Sequence, residues 1–465
     1  MKWDAIIANG TVVDQGRTGQ MDVRVKNGRV ESVVPAAGAY PPGAPVIDAA
    51  GKLVLPGIID AHNHPVYADR IGAFSKAALS GGVTTLVPYV GSVQAWNQSG
   101  GLVDAVKGFI DEARRESVID FGVHATLTQN VMGEAPSAIP ALLGMGITSY
   151  KVFTAYKKRG MKLEDEEIIS IMSLLAEAGG LLAVHAENDA TISHLENKAV
   201  AEGRLSPEHY PPTHPDICEA EALFRVLSLA EVTGCAMYLP HLSARRSLDV
   251  VRLFRRWGTL RALFTETCPH YLTLTDAALA SFGNLAKMSP PLRTQADIDA
   301  LWAGLASGEI DVVGSDATGH PVQSKSPLHD RTFSAPYGTA DVDNLVTLVF
   351  DEGVAKGRIP VATLVKTMCE MPARIFGLYP RKGTLAPGAD ADVLIVDPTA
   401  TRVLPARNPH LKTDYSLFAG RRCTGVPVLA MQRGQVVMRG GEVLAKPGAG
   451  RFLPAGIAAD GGPAS

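Results

Sequence analysis

The feature that most constrains the fold is a repeat of eight short apolar runs, each followed by a longer stretch with helical periodicity. The runs lie at residues 53–64, 83–90, 121–128, 146–153, 181–188, 236–243, 261–270 and 311–318. The intervening stretches, such as "DEEIISIMSLLAEAGG", are apolar at intervals of three and four residues and end at glycine. Eight βα units over about 300 residues fit a TIM (β/α)₈ barrel. An open doubly wound sheet is the alternative, but no glycine-rich phosphate loop follows any run.

The two ends of the chain have a different sequence pattern from the barrel region. Residues 1–56 and 381–450 contain short alternating β-type segments separated by tight turns, among them Asn27-Gly28 between alternating valines. Neither end is large enough to form a core alone, so we expect them to pair in a small β-sandwich domain. The barrel domain is then predicted at residues 57–380, and residues 451–465 are predicted to form a flexible tail.

Composition excludes several classes of partner. The 465 residues are 46% hydrophobic and carry a formal net charge of −3 without long runs of either sign, which indicates a globular protein with a small ligand and neither a nucleic-acid nor a membrane partner. The densest basic cluster, "KKR" at 157–159, is predicted to be a solvated turn. The five cysteines show no CxxC spacing and are expected to be reduced, and no signal or membrane segment is visible, so a cytoplasmic location is expected.

The first barrel run ends in "DAHNH", which places an acid and two histidines at alternate positions. Residues two apart on a strand face the same side, so Asp60, His62 and His64 are predicted to project together from the carboxyl end of the strand. In a TIM barrel that end is the catalytic one. We expect Asp60 to orient an imidazole and the two histidines to bind a metal.

Other potential ligands end later runs of the barrel. His185 ends the fifth run, His241 the sixth and Asp316 the eighth. Each alone has a simpler explanation, a histidine bonded to a carbonyl or an aspartate capping a helix. Four imidazoles and one carboxylate at one barrel mouth favour a site for Zn²⁺, Mn²⁺ or Fe²⁺.

The fourth run contains a lysine, Lys151, inside an apolar strand. A buried ammonium group is costly unless it is paired or neutral. Two interpretations stay open: an ion pair with a carboxylate such as Asp316, or conversion of the amine by CO₂ into a carbamate that bridges two metals.

In order along the chain, "LVLPGIIDAHNHP", "GGVTT", "YKVFTAYK", "VHAEN", "PHLS", "ETCPHYL", "KMSPPLR", "GSD" and "KGTLAPGADADVLIVD" resemble the cyclic amidohydrolases of the hydantoinase, dihydropyrimidinase and allantoinase group. The resemblance implies two divalent metal ions, with Zn²⁺ expected first and Mn²⁺, Co²⁺ or Fe²⁺ as alternatives. It assigns His62, His64 and Asp316 to one metal and His185 and His241 to the other. Lys151, as N6-carboxylysine, would bridge them together with a hydroxide.

The same resemblance implies hydrolysis of a cyclic amide or imide, such as ring opening of a hydantoin or dihydropyrimidine to an N-carbamoyl amino acid. Asp316 would act as base and then as acid, and Tyr156 would donate a hydrogen bond to the oxyanion. Ser289 and Tyr337 would contact the ring, although Ser289 is equally interpretable as a turn residue. Tyr337 lies in "APYG", where dihydropyrimidinases and D-hydantoinases usually carry "PNG", so the ring that fits is left open. His320 would line the pocket, whereas His124 and His270 are predicted to be core histidines or to lie behind the ligands.

Alternatives within and outside the enzyme class remain. An allantoinase or a dihydroorotase would share the metal centre, but we place no arginine to receive a substrate carboxylate. A non-catalytic scaffold relative is the alternative from another class, and it is disfavoured because all six ligand positions hold usable residues. The resemblance also implies a homotetramer or a homodimer.

Overall fold

A computed structural model describes residues 3–36, 38, 40 and 43–456. The strands of these residues form two sheets, one built from both ends of the chain and one from its middle. Among the helices of the described residues, none is both long enough and apolar enough to cross a membrane.

The sheet from the chain ends is mixed and has nine strands in the described residues. Its strands are β1 (Ala5–Asp14), β2 (Arg17–Lys26), β3 (Arg29–Pro35), β4 (Val46–Asp48), β5 (Leu53–Pro56), β16 (Val393–Val403), β17 (Arg422–Gln432), β18 (Gln435–Arg439) and β19 (Glu442–Val443). Strand β5 joins the two halves, because it pairs in parallel with β1 and antiparallel with β16. The predicted Asn27-Gly28 hairpin is present between β2 and β3, with both turn residues at positive φ.

The second sheet is parallel, and every one of the eight predicted runs contributes to it. Its strands are β6 (Ile58–His64), β7 (Val83–Val90), β8 (Asp120–Phe121), β9 (His124–Thr126), β10 (Ser149–Phe153), β11 (Leu181–His185), β12 (Ala236–Leu239), β13 (Leu263–Thr267), β14 (Val312–Val313) and β15 (Ala317–Thr318). The third and eighth runs are each split into two short strands. In the eighth, β14 pairs with β13 and β15 pairs with β6, so this run closes the sheet into a barrel.

Helices alternate with these strands, as the periodicity predicts. They are α1 (Ile71–Ser80), α2 (Leu102–Glu116), α3 (Ala135–Gly144), α4 (Asp165–Ala178), α5 (Asp189–Ala201), α6 (Asp216–Thr233), α7 (Arg245–Trp257), α8 (Pro269–Thr273), α9 (Ala278–Phe282), α10 (Gln295–Ser307), α11 (Val322–Lys325), α12 (Leu345–Val349), α13 (Val361–Val365) and α14 (Met371–Ile375). Helices α4 and α6 end at Gly179 and Gly234, each in the left-handed conformation that glycine adopts without steric cost. The predicted fold, a TIM-type barrel with a β domain from both chain ends, is confirmed.

The first predicted run is divided between the two sheets. Residues Leu53–Pro56 belong to the chain-end sheet, and the barrel begins at Ile58. Gly57 marks the crossing point, where an added Cβ would lie 2.3 Å from Thr84 Oγ1 and 2.8 Å from Asp392 Cβ. Only glycine fits this position without displacing its neighbours.

A buried ion cluster joins the barrel to the chain-end sheet. The Lys382 ammonium lies 2.7 Å from Asp120 in β8 and 2.6 Å from Asp392, just before β16. Arg451 donates its backbone N–H to Asp120, and the backbone N–H of Leu453 donates to Phe121. The first residues of the predicted flexible tail, 451–456, are therefore held against the barrel, while residues 457–465 lie outside the described part of the chain.

Candidate metal centre and substrate cavity

The six predicted metal ligands lie together at the carboxyl ends of the barrel strands. His62 and His64 end β6, Lys151 lies within β10, and His185 ends β11. His241 follows β12 by two residues, and Asp316 lies between β14 and β15. All but Asp316 are almost completely buried, and the Asp316 side chain is 18% exposed to the adjoining cavity.

The first set of ligands is formed by His62, His64 and Asp316. Asp316 Oδ1 lies 3.1 Å from His62 Nε2 and 3.2 Å from His64 Nε2. One ligand atom from each of the three residues falls within 4.8 Å of the others. His62 Nε2 is buried and has no hydrogen-bond partner within the described residues, despite its short distance to Asp316. The ligand atoms of these three residues therefore converge on one point, which suits a metal ion.

Glu266, at the end of β13, determines which nitrogen of His62 is free. Its Oε1 lies 2.5 Å from His62 Nδ1. A carboxylate only accepts hydrogen bonds, so Nδ1 carries a proton, and Nε2, which faces Asp316, is the nitrogen that can bind a metal once it has lost its own proton. Glu266 also accepts the backbone N–H of His241 at 3.0 Å and the Tyr238 hydroxyl at 2.6 Å. It thereby links the first ligand set to the second.

The second set consists of His185 and His241. Their Nδ1 and Nε2 atoms lie 3.0 Å apart. Glu187 Oε2 lies 2.8 Å from His185 Nε2, so the same argument leaves the His185 Nδ1 lone pair facing His241. The two sets are adjacent, because the His62 and His241 rings are 5.4 Å apart.

Charges around the centre favour a bound cation. Burial lowers the pKa of His62, but the carboxylates of Glu266 and Asp316 outweigh burial and raise it to about 9. Burial raises the pKa of Asp316, but His62 and His64 hold it well below its usual range. Burial lowers the pKa of His64 to about 4 and that of His241 well below 6.5, so both rings are neutral, as metal ligands must be.

Lys151 lies beside both ligand sets without a carboxylate partner among the described residues. Its Nζ is 4.5 Å from the centre of the Tyr89 ring and 5.6 Å from that of Phe153. Burial lowers the pKa of Lys151 to about 8, although Asp316 and Glu266 act in the opposite direction. No carboxylate oxygen of Asp316 lies within 4.0 Å of Lys151 Nζ, so the ion pair with Asp316 that the sequence suggested does not form. A neutral amine, which reaction with CO₂ requires, is accessible near neutral pH.

Three of the predicted site residues have strained backbones. Tyr156, His241 and Asp316 have φ values of 68°, 45° and 47°, in the left-handed region that bulky residues rarely adopt. The Asp316 conformation is held by its backbone N–H, which donates to His62 O at 2.8 Å. Such strain is concentrated at functional sites, where neighbouring structure maintains it.

Asp60 does not orient an imidazole, contrary to the prediction. Its carboxylate accepts the backbone N–H and the hydroxyl of Ser315 at 2.9 Å and 2.7 Å, and the backbone N–H of His62 at 3.3 Å. The register between β6 and β7 shifts between Asp60 and Asn63, so simple alternation does not run unbroken along the strand. Asp60 instead ties the first strand of the barrel to the last.

A cavity extends outward from the ligands. The predicted substrate residues Tyr156, Ser289 and Tyr337 all line it. Ser289 donates its hydroxyl to Glu187 Oε2 at 2.7 Å, and the Tyr156 ring lies 4.7 Å from His185 and 5.6 Å from Tyr337. Burial raises the pKa of Tyr156 well above 10, so its hydroxyl keeps its proton and can donate a hydrogen bond.

The remaining histidines differ in their roles. His124 bonds Ser149 Oγ and the carbonyl of Ala61, so it is a core histidine. His270 lines the cavity, and its Nε2 has no partner within the described residues. With Cys268 and Asp316 it forms a second group of potential ligand atoms. His320 also lines the cavity, where its ring lies 4.7 Å from Tyr67.

Sequence reasoning missed three residues of this site: Glu187, Glu266 and Arg159. Glu187 and Glu266 end or follow apolar runs, in "VHAEN" and "ETCPH", just as the predicted ligands do. Their position at the strand ends was a usable signal. Arg159, the last residue of "KKR", turns into the cavity instead of into solvent, so the prediction of a solvated turn is wrong for this residue.

Comparison with known proteins agrees with this geometry. Residues 53–437 match the amidohydrolase family. The chain belongs to the amidohydrolase family. A curated relative of this amidohydrolase, the D-phenylhydantoinase of Escherichia coli (strain SE11), is 34% identical over 460 residues and covers 96% of this chain and 97% of its own length.

Solved structures of other amidohydrolases have the same fold. A dihydropyrimidinase from Brevibacillus agri NCHU1002 has a TM-score of 0.90 and 32% identity, covering 99% of each chain. An L-hydantoinase (dihydropyrimidinase) from Arthrobacter aurescens has a TM-score of 0.90 and 31% identity, covering 97% of this chain and 100% of that one. Amidohydrolases are metal-dependent, and the converging histidines and aspartate are the candidate ligands here.

Proposed function

We propose that this amidohydrolase uses a binuclear metal centre to open a cyclic amide or imide, such as a hydantoin or a dihydropyrimidine, to an N-carbamoyl amino acid. The observation that carries the proposal is the adjacency of the two ligand sets around Lys151 at the base of one cavity. The relatives named as D-phenylhydantoinase and dihydropyrimidinase support it.

In this proposal His62, His64 and Asp316 hold one ion, and His185 and His241 hold the other. Zn²⁺ suits this set of imidazoles and carboxylates, as do Mn²⁺, Co²⁺ and Fe²⁺. When bound, two such ions lower the pKa of water and polarise a carbonyl oxygen.

Lys151 would bridge the two ions as a carbamate. A neutral Nζ forms an N–C bond to CO₂ and releases one proton, which leaves an anion with two oxygens. At pH 8 about half of the Lys151 side chains are neutral, compared with about three in a thousand for an ordinary lysine. The buried position therefore favours this modification.

Asp316 is the proposed proton carrier. Its Oδ1 faces the two imidazoles. Its second oxygen, Oδ2, can take a proton from the attacking water and deliver it to the leaving ring nitrogen. The 18% exposure of the side chain to the cavity gives substrate access to this oxygen.

Tyr156 and Ser289 would position the reacting amide. A protonated Tyr156 donates to the oxygen that becomes negative, a contribution of about 10²- to 10³-fold in rate. Ser289 would contact the imide edge through its backbone, because its hydroxyl is committed to Glu187. Tyr337, whose ring lies 5.6 Å from that of Tyr156, would contact the substrate ring beside it.

A substrate panel tests the proposal. Purified protein loaded with Zn²⁺ or Mn²⁺ in bicarbonate buffer would be assayed with hydantoin, dihydrouracil, 5-substituted hydantoins of both hands, allantoin and dihydroorotate. We expect ring opening of at least one hydantoin or dihydropyrimidine. Turnover of allantoin or dihydroorotate alone would replace this assignment by the allantoinase or dihydroorotase alternative, and no turnover of any ring would overturn it.

Replacing the proton carrier provides a sharper test. In Asp316→Asn the ring-opening rate should fall by more than about 10³-fold, because the amide cannot accept the proton. Metal analysis should still find ions bound, since His62, His64, His185 and His241 remain. Near-normal turnover by this variant would show that Asp316 does not carry the proton.

The proposal includes a homotetrameric or homodimeric assembly and a cytoplasmic location, as the family resemblance implies. Light scattering coupled to size-exclusion chromatography measures the assembly directly. A metal-loaded protein that opens no ring and binds another macromolecule would favour the scaffold alternative.

A further inference from the structure

The turn after β10 brings one cation into the cavity. Lys157–Arg159 form a single 3₁₀ turn that begins at Tyr156. The side chains of Lys157 and Lys158 are exposed, whereas Arg159 is half-buried and lines both the cavity and the cleft outside it. The cavity and the outer cleft also share Tyr67, Trp96, His320 and Tyr337, so Arg159 lies at the mouth.

The guanidinium of Arg159 is held by aromatic residues rather than by an acid. Its central carbon lies 5.6 Å from the centre of the Tyr156 ring and 5.5 Å from that of Tyr337. No carboxylate of the described residues lies within 4.0 Å of it. Tyrosine rings stabilise a cation without neutralising it.

Three carboxylates that line a small pocket together with Arg159 have other partners. Glu187 bonds His185 and Ser289, Asp189 accepts the backbone N–H of Lys157, and Glu196 pairs with Lys158 at 3.4 Å. Asp316, which also lines the inner cavity, faces the two imidazoles of the first ligand set. The positive charge of Arg159 is therefore available to a ligand.

We propose that Arg159 recognises a carboxylate on the substituent of the substrate ring, so that the preferred substrates are cyclic amides with an acidic side chain. This inference rests on the proposed function and specifies its substrate class. Ser289 and the two ligand sets would hold the substrate ring at the base of the cavity. A substituent on that ring would then point toward the mouth. There the planar fork of the guanidinium can donate two hydrogen bonds to one carboxylate.

An aromatic substituent is the competing possibility, because Tyr67, Trp96 and Tyr337 also surround the mouth. Two of these rings already contact other side chains: Tyr67 lies 6.0 Å from Trp96 and 4.7 Å from His320. An apolar substituent would cover the guanidinium and displace water from its N–H groups without pairing them, which is unfavourable. A carboxylate satisfies those groups.

Matched substrate pairs test the inference. Hydantoin-5-acetate and hydantoin-5-propionate would each be compared with the corresponding neutral amide, and 5-phenylhydantoin would represent the aromatic class. The readout is the ratio of kcat/KM for each acid to that for its amide, so a general effect of a substitution cancels. Arg159→Gln removes the charge, Arg159→Lys keeps the charge without the fork, and Lys157→Gln is the control on the same turn.

We expect the unsubstituted protein to prefer at least one acid over its amide by about 10- to 100-fold, as one charged hydrogen-bonded pair provides. The preference should disappear in Arg159→Gln, decrease in Arg159→Lys and persist in Lys157→Gln. A ratio near one in the unsubstituted protein, a preference for 5-phenylhydantoin, or an unchanged ratio in Arg159→Gln would overturn the inference while leaving the proposed function intact. Failure to open unsubstituted hydantoin, dihydrouracil and all the substituted rings would overturn the proposed function itself.

Discussion

Two buried glutamates determine which ring nitrogen of two ligand histidines is available to a metal. Glu266 fixes the tautomer of His62, and Glu187 fixes that of His185. Each directs a lone pair toward the place where an ion would bind. Burial raises the pKa of Glu187, but the hydrogen bond from His185 and nearby positive charge outweigh burial and lower the pKa to about 2. This acid therefore remains ionised at any physiological pH.

Replacing the His62 partner should weaken metal binding. In Glu266→Gln the side chain loses its charge and can present an N–H to His62 Nδ1, so we expect metal affinity to fall by about 10- to 100-fold. Competition with a chromogenic chelator measures this affinity. Glu231→Gln, an exposed position in α6, is the matched control. Unchanged affinity in Glu266→Gln would show that the tautomer of His62 is not set by this glutamate.

The pKa of His62 predicts how metal binding depends on pH. Without metal the imidazole carries a second proton, on Nε2, up to about pH 9, and that proton must leave when an ion binds. Affinity should therefore rise by about tenfold per pH unit from pH 6.5 to 9. The same proton stabilises the metal-free fold, an effect that is fully present below about pH 6.5 and is lost as the pH rises through about 9.

Calorimetry in buffers of different ionisation enthalpy counts the protons released on metal binding. At pH 7.5 we expect at least one proton per chain, and a Lys151→Ala variant separates the contribution of His62 from that of carbamate formation. Binding without proton release between pH 6.5 and 8.5 in this variant would contradict the assignment.

Several site residues were predictable from the sequence because strand ends in a barrel share one rim. His62, His64, His185, His241 and Asp316 follow apolar runs, and Lys151 interrupts one. The interaction of Asp60 with Ser315 was not predictable, because it depends on a register shift between two strands and on how the eighth run closes the barrel. The inward turn of Arg159 likewise depends on the rings of Tyr156 and Tyr337, which are far apart in the sequence.

Among the elements, the eighth run shows most clearly what periodicity leaves out. Residues 311–318 read as one apolar strand, but the structure divides them into β14 and β15, each paired with a different neighbour. Asp316 lies at the break with a positive φ. An apolar run has the same composition whether it pairs with one strand throughout or changes partners, so the sequence predicts the element and not its break.

The junction between β5 and β6 gives a test at this scale. In Gly57→Ala the new Cβ would overlap Thr84 Oγ1 and Asp392 Cβ, so we expect a loss of about 1–3 kcal/mol in the free energy of unfolding. Gly108→Ala is the matched control, because that exposed helical position has no atom within 4 Å of the added Cβ. The control should be more stable than the parent by about 0.5–1 kcal/mol.

Urea denaturation measures both variants of this pair. Equal or greater stability of Gly57→Ala relative to the parent would show that the two sheets do not approach as closely at this crossing as the structure indicates. The ring-opening rate of Gly108→Ala should match that of the parent, since α2 lies outside the cavity lining.

For the whole molecule, the two sheets are joined where the chain crosses at Gly57 and where Lys382 pairs with Asp120 and Asp392. The barrel strands carry the ligand sets. The chain-end sheet is built from the segments that precede and follow the barrel in the sequence. Alternation and turn residues predicted both sheets. The ion cluster between them was not predictable, because Asp120 is 262 residues from Lys382 and the two become neighbours only in the folded chain.

Activity as a function of bound metal tests the central claim most directly. Metal-free protein prepared with a chelator would be titrated with Zn²⁺ or Mn²⁺ in bicarbonate buffer, while ring opening of hydantoin and dihydrouracil is measured together with the number of ions bound per chain. We predict no turnover without metal and a plateau when two ions are bound per chain. Full activity in the metal-free protein, or two bound ions per chain with no ring opening, would contradict the account.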